Sequence, residues 1–230
     1  MTVLSDRPAP RPLIPWTIEW RRVPAPVRYA ALILALVAAW QVYLRLAHVS
    51  PLLVASPADV GQALAAGIRD RRIPDATAST LLLLVSGIVI GGVTGFVFAS
   101  VAVFSALGRD VLAVLIAVMN PLPSIAILPL AMIWFGLTPK AIVLVVALAT
   151  IWPVAINADA GFRAISPTTH MVARNLGLRG PRMVLGVLLP AALPYILAGV
   201  RAAWAFGWRT VVAAELVFGV AGSTGGLGWY

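Results

Sequence analysis

Five stretches of this sequence stay apolar for long enough to cross a lipid bilayer: 29–46, 80–106, 111–135, 141–156 and 184–220. A hydrocarbon layer of about 30 Å needs roughly 20 residues of helix. The last stretch is too long for one straight crossing. Composition agrees: the 230 residues are 61% hydrophobic and only 11% charged, where a soluble domain is about half apolar and a quarter charged. The expected fold class is an all-α polytopic membrane protein with five spans. Without cysteine, disulfides, thiolate metal sites and cysteine nucleophiles are excluded.

The net charge of +9 would suggest nucleic acid on a soluble chain. Here the arginines flank spans, and no basic-aromatic face remains once the spans are removed, so no nucleic-acid partner is expected. Residues 1–28 form a Pro/Arg-rich segment with Arg7, Arg11, Arg21, Arg22 and Arg28 before the first span. It has no apolar core of a cleavable signal, and its charge places it in the cytoplasm. Residues 29–230 are then the transmembrane domain. The stretch 56–72 reads as a surface helix on the outer side, with Ser56 as N-cap and Pro57 in the first turn. Its Arg69, Arg71 and Arg72 break the positive-inside pattern. The inner loops, holding Arg109 and then Arg163, Arg174, Arg179 and Arg182, still outweigh them.

Three spans carry features beyond apolarity. In the second, Gly87, Gly91, Gly95 and Ala99 recur every four residues. Such a stripe admits a closely packed helix, either within one subunit or across a dimer. In the third, Pro121, Pro123 and Pro129 cannot all sit in a straight helix. They mark either a structural kink or a broken helix lining a water-filled path. The fifth carries Arg201, Arg209 and Glu215. Ionisable groups within a membrane face a bundle interior or water, so these are pathway candidates, with other helices as alternative partners. Arg201 and Glu215 lie about 40° apart around the helix but roughly 21 Å apart along it.

The inner loop 157–182 contains a compact helical knob. In "SPTTHMVARNLG", Ser166 is the N-cap, Pro167 opens the first turn, and Gly177 occupies the C-terminal glycine position at a packed turn. The following helix is expected to begin with prolines, Pro190 and Pro194, that re-aim it. A protruding, capped, basic knob suits a partner protein.

At these residues the chain resembles the permease subunits of bacterial ABC importers, whose EAA motif reads E-A-A-x3-G-x9-I-x-L-P. Ala173, Gly177, Leu189 and Pro190 stand at matching positions, with Val187 for the Ile. Met171 and Val172 replace the Glu and the first Ala. The segments "PLPSIAILPLAMIWFGLTPKAIV", "LPAALPYILAGVRAAWAFGWRTVVAAE" and "GSTGGLGW" are similar to the nitrate/sulfonate/taurine branch.

The resemblance implies a type I importer permease fold in a bacterial inner membrane. It also implies a second permease copy, two ATP-binding cassette subunits, and a periplasmic or lipid-anchored substrate-binding protein. ATP and Mg would be held by the ATPase subunits, since this chain lacks GxxxxGK[ST] and needs no cofactor of its own. Residues 168–178 would form the coupling helix that docks the ATPase, with Thr168, Met171, Val172, Ala173, Arg174, Gly177 and Leu178 as its contact set. The family pattern continues with a sixth helix, so a truncated six-span permease is expected. An intramembrane enzyme is the weaker alternative: only His48 and His170 occur, with neither HExxH nor GxSxG. The other alternative is a non-transporting adaptor subunit.

Overall fold

The computed structural model describes residues 24–48, 50, 53–220 and 226–229. Residues 1–23 of the expected cytoplasmic segment, and Tyr230, lie outside the described residues. The chain divides into two compact units, 1–66 and 67–230. All regular structure among the described residues is helical.

The first unit holds α1 (Ala25–Leu46), which Pro24 and Pro26 set off in its first turn. A proline costs nothing there, because the first N–H groups have no helical partner. Nearly every α1 side chain is exposed and only Leu44 is buried, as expected of a helix solvated by lipid. Most of α2 (Pro57–Arg69) also belongs here. Its start is a reciprocal cap: the Asp59 N–H donates to Ser56 Oγ at 3.2 Å, and the Ser56 N–H donates to Asp59 Oδ2 at 3.0 Å. The Ser56 side chain first, and its backbone N–H second, hold the Asp59 carboxyl below its usual value of 3.8. The cap is therefore at full strength above that value and is lost only as pH falls through the lowered one.

In the second unit, α3 is longer than its apolar run. It spans Arg72–Ala102, 31 residues, and starts directly after Arg71 at φ 61°. The expected surface helix 56–72 ends at Arg69, and Arg72 already opens α3, because Ala76 and Thr80 are buried and packing extends α3 past its apolar run.

The third span is broken. Helix α4 (Ala106–Met119) and the pair formed by a 3₁₀ turn (Ser124–Ile127) and α5 (Leu128–Phe135) meet at 84°. Pro121 and Pro123 sit in the break. Pro129 does not bend anything: it lies in the first turn of α5, where it is tolerated.

The fourth span, α6 (Pro139–Ala164), runs 26 residues. Loop 157–182 therefore has eight of its residues, 157–164, in this helix, and the chain turns only at Ile165. Beyond α7 (Pro167–Asn175) come α8 (Gly180–Met183), a π turn (Val184–Leu188) and α9 (Leu189–Val220). The helix does not begin with its prolines. Its start is Gly180 and Pro181, and residues Gly180–Gly219 form one apolar span of 40 residues with Pro190 and Pro194 inside. The π turn lies directly before Leu189 and Pro190, with the Leu189 N–H reaching back to Val184 O. Among the described residues four helices are long and apolar enough to cross a membrane, and five if the bent pair counts as one span.

Helix α6 is the centre of the second unit, between α3 and α9. Lipid is as apolar as any core, so association must come from close packing. The glycine stripe supplies it within the subunit. A Cβ at Gly91 would run into Thr150 Oγ1 and Ala147 O of α6, and one at Gly95 into Ile151 O. Gly199 of α9 meets Asn157 and Pro153 O of α6, while Gly207 faces Leu84 of α3 and Thr150 of α6. Two buried clusters result. One joins Leu84, Ile142, Val146, Val211 and Phe218. The other joins Ala99, Leu112, Phe162, Leu188 and Ala173 of the knob, with Phe96 edge-on to Phe162 at 6.0 Å.

Candidate functional site

The knob is built from local signals. Ser166 Oγ accepts from the Thr169 N–H at 3.3 Å, and Pro167 sets the first turn of α7. At the far end the Gly177 N–H donates to Arg174 O and the Leu178 N–H to Ala173 O, both at 3.0 Å. This pair of bonds is the Schellman ending, and it requires the positive φ of 76° that Gly177 adopts. The turn is not packed, however. A side chain at Gly177 would meet nothing within 4 Å, so only φ restricts the position.

Of the expected contact set, Ala173 is buried at 3% and anchors α7 to the core, with Leu178 packed beside it. Val187 packs on the same cluster, so the x9 spacing of the motif returns the chain to the base of the knob. Leu189 is half-buried and Pro190 exposed. Thr168 and Arg174 are exposed, and so are Met171 (58%), Val172 (52%) and Leu176 (73%). Met171 and Val172 on this nine-residue helix, with Leu176 at its C-cap, form an apolar surface suited to a protein partner.

The break in the third span forms the second feature. Pro121, Pro123 and Arg209 line one open cavity of about 340 Å³, together with Asn120, Trp152 and Thr210. Arg209 Nε donates to Ala205 O at 3.2 Å, and its guanidinium lies 4.9 Å from the centre of the Phe206 ring. These contacts orient the side chain and leave most of its five N–H groups for other acceptors. Arg201 lies elsewhere. Eight residues earlier on α9, it is exposed and lines no part of this cavity.

Glu215 lies away from this cavity. It is 1% exposed, and its carboxylate accepts from Thr80 Oγ1 at 2.8 and 2.9 Å and from the Gly228 N–H at 3.0 Å. Thr80 in turn accepts from the Leu227 N–H at 2.9 Å. A buried carboxylate persists only when its lone pairs are used, and here they bind α3, α9 and the turn 226–229 together. A Cβ at Gly226 would strike the carboxylate, and one at Gly228 would strike Val212 O. Both glycines are therefore part of the clamp. Thr80 went unnoticed in the sequence because a threonine inside an apolar helix ordinarily bonds its own i−4 carbonyl.

Residues 87–229, more than half of the chain, match the family of binding-protein-dependent transport system inner membrane components. The chain is 32% identical over 199 residues to the taurine transport system permease protein TauC of Escherichia coli (strain K12), covering 84% of this chain and 71% of that protein. It is 35% identical over 131 residues to the putative aliphatic sulfonates transport permease protein SsuC of the same organism, covering 57% and 50%. With the nitrate import permease protein NrtB of Synechococcus elongatus it shares 31% over 150 residues, covering 65% and 50%. The matched part is thus about half the length of the latter two relatives. Spans, broken third helix, capped knob and family match agree, and the chain belongs to the binding-protein-dependent transport system inner membrane components, as a membrane-spanning translocation subunit.

Proposed function

We propose that this chain, paired with a second copy, lines the path of an ATP-driven importer for a small oxyanion of the sulfonate, taurine or nitrate kind. One observation carries this reading: Arg209 stands inside a 40-residue apolar helix and faces a cavity at a proline-broken span. A charge at such depth is retained where it meets water or a ligand, and a planar guanidinium fits sulfonate, carboxylate or nitrate oxygens by paired hydrogen bonds. Pro121 and Pro123 hold the break open beside it.

The exposed Met171 and Val172 of α7 and Leu176 at its C-cap would seat in an ATP-binding cassette subunit, which holds the ATP and Mg. By the positive-inside rule the arginines at 109, 163, 174, 179 and 182 would face the cytoplasm, which supports a cytoplasmic N-terminus. In this chain the contact is apolar and basic, since Met171 stands where the family motif has Glu. Substrate would arrive on a soluble or lipid-anchored binding protein.

The test is co-purification with candidate ATPase subunits, followed by reconstitution into liposomes with the binding protein. ATP hydrolysis should rise with one of taurine, an alkanesulfonate or nitrate. A complex that hydrolyses ATP yet responds only to uncharged or cationic solutes would refute the anion reading.

A further inference from the structure

Beside the knob lies a cavity of about 510 Å³ that the transport reading does not use. Arg109 of α4, Arg163 of α6, and His170 and Arg174 of α7 line it, with Asp159 and Phe162. The carboxylate is already engaged: Asp159 accepts from Arg163 at 2.6 Å. Arg109 and Arg174 form no ion pair among the described residues. Three arginines against one aspartate leave the lining with a net charge of +2, His170 counted neutral. Arg174 also borders an adjoining cavity with Arg179, Phe104 and Met183. Two guanidiniums facing one space repel each other unless an anion lies between them.

The place is as informative as the charge. The cavity sits where the apolar run of α3 ends, near Val103, and where α6 passes from its buried stretch to Arg163. Its lining combines these arginines with apolar Phe162, Ile165 and Met171. Guanidinium pairs recognise phosphate through parallel N–H···O bonds, and basic pockets between membrane helices take lipid headgroups. We propose that this cavity is a binding site for a phosphate-bearing anion at the membrane boundary, with Arg109 and Arg174 as its principal ligands. Both a lipid headgroup and free phosphate carry that chemistry. The site does not depend on α7 docking an ATPase, and its test uses the permease chain alone.

The purified full chain in neutral detergent is incubated with phosphatidylglycerol or phosphatidylcholine, and retained lipid is counted by native mass spectrometry. A parallel arm titrates inorganic phosphate against retained phosphatidylglycerol. Phosphatidylglycerol should be retained over phosphatidylcholine, and retention should fall about fivefold for each arginine removed in R109Q and R174Q. R109K/R174K should recover part of it, and R69Q, on α2, should leave it unchanged. Displacement by millimolar phosphate identifies soluble phosphate as the ligand; resistance to it identifies the lipid headgroup. Equal retention of the two lipids with no phosphate effect overturns the proposal. So does unchanged retention in R109Q/R174Q, once equal thermal midpoints show the variant folded.

Discussion

Single side chains decide two properties of this protein. The Thr80 hydroxyl is the donor that both oxygens of the buried Glu215 share. Thr80→Val keeps the shape and removes the donor, which costs about 1–3 kcal/mol for a buried polar group left short of a partner. The thermal midpoint of the purified chain should drop for Thr80→Val and recover for Thr80→Ser; a Thr80→Val protein that melts like the parent would refute the clamp. At Gly177 the restriction is φ rather than space. Aspartate tolerates the left-handed region and valine does not. Gly177→Asp should therefore keep most of its bound ATPase, whereas Gly177→Val should lose it through roughly 1–3 kcal/mol of strain at the end of α7. Pull-down of the ATPase by each variant separates the two. If Gly177→Asp fails as badly as Gly177→Val, side-chain bulk rather than backbone angle governs the turn.

Between elements, the decisive contact is α3 on α6. Gly91 presses on Thr150 and Ala147, while Gly92, one residue on, faces open space. Gly91→Ala should push the helices apart and cost about 1–3 kcal/mol. Gly92→Ala should leave stability within about 0.5 kcal/mol or raise it slightly through helix propensity. Midpoints measured side by side in one detergent check the pair. Equal effects at both positions would mean that α3 does not present this face to α6. The stripe was readable as a close-packing surface. Whether it met a helix of its own subunit or of a second copy was not, because a small-residue stripe has the same form in both cases.

Across the whole molecule, transport should depend on Arg209 more than assembly does. Arg209→Gln should lower uptake into proteoliposomes at least about tenfold, the value of one charge-assisted hydrogen bond of roughly 1.5 kcal/mol or more. The amount of ATPase that co-purifies should stay within about twofold. Parallel loss of uptake and assembly would assign Arg209 a structural task instead.

What was legible in the sequence was local. Apolar run lengths gave the crossing elements, Ser166 and Gly177 gave both ends of the knob, and Pro121 with Pro123 gave the break. Each signal acts through backbone geometry within four or five residues. Helix ends were less legible. Arg72 opens α3 and Gly180 opens the last span because packing carried helices past their apolar runs. The contacts that join distant residues were invisible. Thr80 and Glu215 are 135 positions apart, and Arg109 and Arg174 line one cavity only through the tertiary arrangement of α4, α6 and α7. In a soluble helix a polar face would have told which side turns inward. Helix α6 has no such contrast, since lipid and core are equally apolar to it. The sequence by itself determined where the chain crosses and where it bends. Which faces touch, and so which charges meet, was decided by the small residues that let α3 and α9 close on α6.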